Sequence, residues 1–137
     1  MKRIKMIKAR FFLSCLTLVL FLVMGCASGG KTIDKNQSWE IVKKEVLAES
    51  LQNKIVYIST EPLKAGQAVK SWKHIYKVPN NLQEAWLFFV DDQPGANWEH
   101  ACRYIFVDTA TGKYKVIKAS TPPDSMENMK KIFSDTR

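Results

Sequence analysis

The apolar positions of this chain change period along its length, and the changes mark its elements. From Glu84 to Lys118 the sequence reads EAWLFFVDDQPGANWEHACRYIFVDTATGKYKVIK. Trp86 to Val90 and Tyr104 to Val107 are continuous runs of aromatic and branched residues, the pattern of strands enclosed on both faces, and a third strand-like run ends at Lys118. The two connections carry turn chemistry. Gln93-Pro94-Gly95-Ala96 fits a type II turn with Gly95 where φ must be positive, and Asp108 to Gly112 fits a short hairpin loop closed by a left-handed glycine. This stretch predicts the middle of a sheet.

Upstream the period lengthens. Over Ser38 to Gln52, Trp39, Val42, Val46, Leu47 and Leu51 fall on one half of a helical wheel, with Lys43, Lys44 and Glu49 elsewhere. Ser38 is placed to cap that helix, and Glu40 suits its first turn. Lys54 to Ser59 predicts a strand, and Glu61 to Gln67, broken by Pro62 and Gly66, a loop. Ala68 to Val78 alternates, with Trp72, His74, Tyr76 and Val78 opposite Lys73 and Lys77, as an edge or half-exposed strand would. Pro79-Asn80-Asn81 then turns the chain. Thr121-Pro122-Pro123-Asp124 ends the last strand and caps a short helix on which Met126, Met129 and Phe133 share a face.

The expected fold is therefore α+β: an antiparallel sheet of about five strands with an N-terminal helix and a short C-terminal helix packed on it. Those helices must cover two apolar faces. A face left open would present an aromatic surface suited to a partner or ligand; the alternative is that sheet curvature or the long loops close over it.

Charge changes the picture only at the N-terminus. The chain has 137 residues and a net charge of +8, but five of its 21 basic residues (Lys2, Arg3, Lys5, Lys8 and Arg10) precede residue 25 with no acidic residue among them. The remaining 16 basic residues face 13 acidic ones, too balanced and too scattered for a nucleic-acid footprint. Behind the basic segment, Phe11 to Met24 is apolar except for Ser14, Cys15 and Thr17, and Gly25-Cys26 follows. About 14 such residues fall short of the ~20 that span a bilayer, so the segment reads as a leader.

The ending Leu22-Val23-Met24-Gly25-Cys26 resembles the lipobox of bacterial lipoprotein precursors. The resemblance implies a signal peptide at 1–25, cleaved before Cys26, whose thiol receives a diacylglycerol and whose new amino terminus takes a further acyl chain such as palmitate. Two or three such chains hold a protein on a membrane almost permanently. It implies the cell envelope as the location, the outer membrane if the host has one, because Ala27 rather than Asp follows the cysteine. An ordinary cleaved signal or an uncleaved anchor is the alternative.

Residues 26–37 have the small, polar composition of a flexible tether, and 38–137 are expected to form a single domain. Cys15 leaves with the leader and Cys26 is blocked by lipid, so Cys102 is left as a lone thiol and packing alone must stabilise an exported domain.

The chemistry-bearing residues gather around the Gln93–Ala96 turn. Asp91, Asp92, Asn97, Trp98 and His100 form a candidate binding loop, in which Trp98 is either an exposed anchor or a lid folded back on the sheet. Arg103, inside an apolar run, needs a carboxylate, and Asp91 and Asp92 are nearest. His100 and Cys102, two apart in a strand, can share a face, so a small hydrolase or thiol enzyme using that pair is the catalytic alternative. No Gly-rich or elbow motif surrounds Cys102, and a lone thiol beside Tyr104 and Phe106 fits a core position. His74, His100 and Cys102 are the candidates for a zinc-type site. Asp91, Asp92, Asn97 and Glu99 are those for calcium, without EF-hand spacing and equally suited to solvating a turn. No metal or cofactor is expected.

The hairpin Tyr104 to Val116, with its Val-Asp-Thr-Ala-Thr-Gly turn, is similar to the last hairpin of PepSY-type domains, small exported modules found in protease propeptides and lipoproteins. That resemblance implies an inhibitory or chaperone-like binding module rather than a catalyst. The expected protein is a membrane-tethered, non-catalytic binding module whose partners are the membrane, through lipid on Cys26, and another envelope or secreted protein.

Overall fold

The computed structural model describes residues 30–136; the expected leader and the lipidation site Cys26 lie outside the described residues. From Lys31 onward the chain forms one compact unit. Its elements are helix α1 (Lys35–Ile41) and strands β1 (Lys54–Ser59), β2 (Leu63–Lys64), β3 (Ala68–Lys70), β4 (Ile75–Lys77), β5 (Glu84–Asp91), β6 (Cys102–Asp108), β7 (Tyr114–Ala119) and β8 (Met129–Asp135). Six strands make an antiparallel sheet in the order β7-β6-β5-β1-β8, with β2 continuing the β1 side of β5. The β3–β4 hairpin is a separate two-stranded sheet. Among the described residues, no helix is long and apolar enough to cross a membrane.

The two apolar runs are the central strands, as their enclosed pattern predicts. Alternation sends Phe88, Val90, Ile105 and Val107 to one face and Leu87, Phe89, Tyr104 and Phe106 to the other, all buried. Both expected glycine turns form: Gly95 has φ +90° and Gly112 φ +73°. At Gly112 a side chain would also press on Ile41, whose Cδ1 lies 3.0 Å from the site of a Cβ.

The helix covers the first face, but not over the expected span. It starts at Lys35, not Ser38, and its cap is Asp34: the Asp34 carboxylate accepts from the backbone N–H of Asn36 and Gln37, and the Gln37 side chain accepts from the Asp34 N–H. Such a capping box is worth about 1 kcal/mol. Just ahead, Ile33 donates its N–H to Thr109 O at 2.6 Å and accepts from Trp86 Nε1 at 3.0 Å, so residues 33–37, within the expected tether, rest on the sheet. After Ile41 the backbone widens into a π-helical turn, Val42–Val46, closed by Leu47 N–H on Val42 O. That wider turn puts Val42 and Leu47, five residues apart, into the same core with Val46 and Leu51 packed beside them.

Two expected elements are corrected. The C-terminal helix is absent: Met129–Asp135 is β8, paired antiparallel with β1. A bulge in β8 leaves Ile132 as an extra residue opposite the Val56–Tyr57 step of β1, so consecutive Ile132 and Phe133 both pack on the helix-side core while Met129 joins the other. The resulting apolar spacing imitates a helix. The expected edge strand Ala68–Val78 is instead a hairpin, bent at Ser71–His74, where Ser71 Oγ accepts from His74 N–H at 3.1 Å. This hairpin, with Val78, Leu82 and Met126, covers the second face, so the loops close what the helices would have left open.

Candidate functional site

At the Asp91–Cys102 end of the central strands, two carboxylates end β5 and point to opposite faces. Asp92, on the helix side, accepts from Arg103 Nε at 2.8 Å and Nη2 at 2.6 Å, and Lys54 Nζ lies 3.0 Å from its Oδ1. Arg103 also reaches Val46 O, at the end of the helical segment, at 3.4 Å, where a cation is favoured. Burial works to raise the Asp92 carboxyl, but the hydrogen bonds and charges of Arg103 and Lys54 outweigh it and hold the carboxyl below the ordinary range. Asp92 is thus committed to the cluster that joins β1, β6 and the helix.

Asp91 and His100 form the second fixture. His100 is buried; its Nδ1 lies 2.7 Å from Trp98 O, its Nε2 3.2 Å from Asp91 Oδ1, and its backbone N–H donates to Ser120 O. The Nε2 contact has an ion pair's length but not a hydrogen bond's alignment. Asp91 also accepts from Gln93 N–H. The ring and the carboxylate together hold the base of the loop to β5 and to the end of β7.

What the loop presents outward is Asn97 and Trp98, the latter 81% exposed. Beside it stands the tip of the β3–β4 hairpin, joined to the loop by an ion pair between Lys73 and Glu99. Lys73 also lies over the Trp72 ring, 5.0 Å from its centroid. Trp72 is 61% and Ile75 57% exposed. Two loops, bridged by Lys73 and Glu99, therefore offer two tryptophans and an isoleucine to solvent at one end of the domain. Of the five expected loop residues, Asn97 and Trp98 face outward, whereas Asp91, Asp92 and His100 hold the loop in place. Trp72 and Ile75 were not among them; the signal for their exposure is the turn-forming Ser71, which carries no glycine or proline beside it to advertise the bend.

Cys102 is buried in the second core beside Tyr104. Burial, reinforced by the charges of Asp91 and Asp92, pushes its thiol from 9.0 up to about 11. Both His100 ring nitrogens face other partners, Trp98 O and Asp91. A nucleophile needs the opposite environment. At pH 7–8 the native thiol is expected to stay silent to a thiol reagent and to react once denaturant is added; rapid native reaction would overturn this assignment. The same shift makes folding pH-dependent. Between 9.0 and about 11 the unfolded thiol ionises and the folded one does not. Its contribution, present in full below that window, is thus lost as pH rises through it, by about 3 kcal/mol.

Among the described residues, no three His, Cys, Asp or Glu side chains come together as a metal site. A larger recess of about 770 Å³ lies between β2, β3 and the Asp124–Met129 segment, with Leu63, Val69 and Leu87 within it. Its charged groups, Glu61, Lys64, Lys70 and Asp124, are exposed. Searches against protein-family models, curated proteins and solved structures return no match to this chain.

Proposed function

We propose that the chain is a lipid-anchored envelope protein whose α+β domain is a non-catalytic binding module, an inhibitor or accessory of another envelope or secreted protein, engaging it through Trp72, Ile75 and Trp98. The observation that carries the reading is the pair of exposed tryptophans on two loops bridged by Lys73–Glu99. Large aromatic side chains on braced loops are the anchors of protein interfaces. Direction supports it as well. Ile33 joins the fold beside Thr109, whereas the tryptophans stand at the Asp91–Cys102 end. The two ends are about 25 Å apart along β5, so the chain enters the described domain at the end away from the tryptophans.

The test is a cross-linking pull-down of the cell-derived protein beside a Trp72→Ala/Trp98→Ala variant. The exposed substitutions should change stability by no more than about 0.5 kcal/mol and remove the leading cross-linked partner. An unchanged set of partners rejects the surface. Mass spectrometry of the same material tests the anchor: an unmodified Cys26 thiol, or an attached leader, rejects it.

A further inference from the structure

The two outer edges of the six-stranded sheet differ. β8 carries the bulge at Ile132, which breaks its ladder and makes an edge unfit to receive another strand. β7 has no such defect: it pairs with β6 in unbroken register, from Tyr114 opposite Val107 to Ala119 opposite Cys102, and among the described residues no strand lies on its other side. Among the described residues, backbone bonds outside the ladder reach Lys113 and Ser120, on either side of β7, but none of Tyr114–Ala119. The guard on this edge is charge instead of shape, since Lys113, Lys115 and Lys118 are all exposed. Lysines so placed repel a second copy of the chain, which would bring the same charges opposite. They favour an acidic strand for the same reason.

We infer that β7 is a docking edge for an acidic, extended segment of a partner protein, which adds to the sheet through its backbone and sets carboxylates against Lys113 and Lys115 on one face of the sheet and Lys118 on the other. The edge ends at a shallow, open depression bounded by Lys118, Ala119, Ser120, His74 and Tyr76, against which a side chain of the added strand can lie. Backbone pairing supplies the grip, and the lysines supply the selection and a faster encounter. The depression adjoins the loops that carry Trp72 and Trp98, since His74 and Tyr76 flank Ile75 and Ser120 accepts from His100 N–H, but the pairing along β7 uses neither tryptophan.

The test uses the full chain in detergent and the six-residue peptide Val-Glu-Val-Val-Glu-Val, whose two glutamates, three apart, project to opposite faces as Lys115 and Lys118 do. The peptide should bind, and amide exchange should slow within Tyr114–Ala119 but not in β8. Replacing the glutamates by lysine should abolish binding, and N-methylation at alternate residues should too. Lys115→Thr/Lys118→Thr should weaken it roughly tenfold, while Trp72→Ala/Trp98→Ala leaves it unchanged even where that variant loses its envelope partner. Equal affinity for the N-methylated peptide, protection at β8 or nowhere, or dimerisation through β7 in place of peptide binding would each overturn the inference.

Discussion

Asp92→Ala is expected to destabilise the domain by about 3–5 kcal/mol in urea unfolding. The side chains of Lys54, Asp92 and Arg103 are each less than a fifth exposed. Deleting the carboxylate would leave a guanidinium and an ammonium facing each other in a largely dry site. Unpaired charge, more than lost attraction, sets that magnitude. Two further results follow. Adding Lys54→Met and Arg103→Met to Asp92→Ala should recover much of the loss, because apolar replacement removes the stranded charges. The native domain should also show an acid limb that the variant lacks. The Asp92 carboxyl is depressed in the fold, so its contribution is complete above about pH 4 and disappears as pH falls through the lowered value. A loss under 1 kcal/mol would mean that water screens the cluster.

Tyr104→Ala should cost a similar amount, about 3–5 kcal/mol, with a more local signature. The Tyr104 ring is fully buried, stacks on Tyr76 with centroids 4.0 Å apart, and meets Phe89 at 5.4 Å; its hydroxyl donates to Thr121 O at 2.9 Å. Thr121 in turn shares a hydroxyl contact with Ser71, and Asp124 N–H donates to Lys70 O. One side chain thus underlies both the hairpin that carries Trp72 and the segment that ties it down. Amide exchange across Ala68–Lys77 should rise in the alanine variant. Tyr104→Phe keeps the stack and orphans the Thr121 carbonyl, for about 1–2 kcal/mol, and should leave the hairpin protected. If Tyr104→Ala leaves exchange in the hairpin unchanged, the hairpin does not rest on this residue.

The parts of this fold that were legible in the sequence are those where local pattern and tertiary environment agree. The runs at Trp86 and Tyr104 can only be central strands, and Gly95 and Gly112 occupy positions whose φ excludes most other residues. The apolar stripe of the helix is the one that packs, although its ends differ because Asp34 out-competes Ser38 as a cap. The misread segments each hide behind an irregularity. The β8 bulge gives Met129, Ile132 and Phe133 a helix-like spacing, and the Ser71 turn interrupts an otherwise faithful alternation. The position of the Asp91–Cys102 loop was legible through its composition. The division of labour within it was not, because it depends on Arg103, Lys54 and Ser120 converging from three other stretches of chain.

The way Ile33 is held has a mechanical side. Tension on the polypeptide ahead of it would be delivered to Trp86 in β5 and to Thr109 just beyond β6. Those neighbours are laced together over seven residue pairs. Load arriving there is borne first by the two hydrogen bonds of Ile33, and once they part it passes along the chain to the capped start of α1.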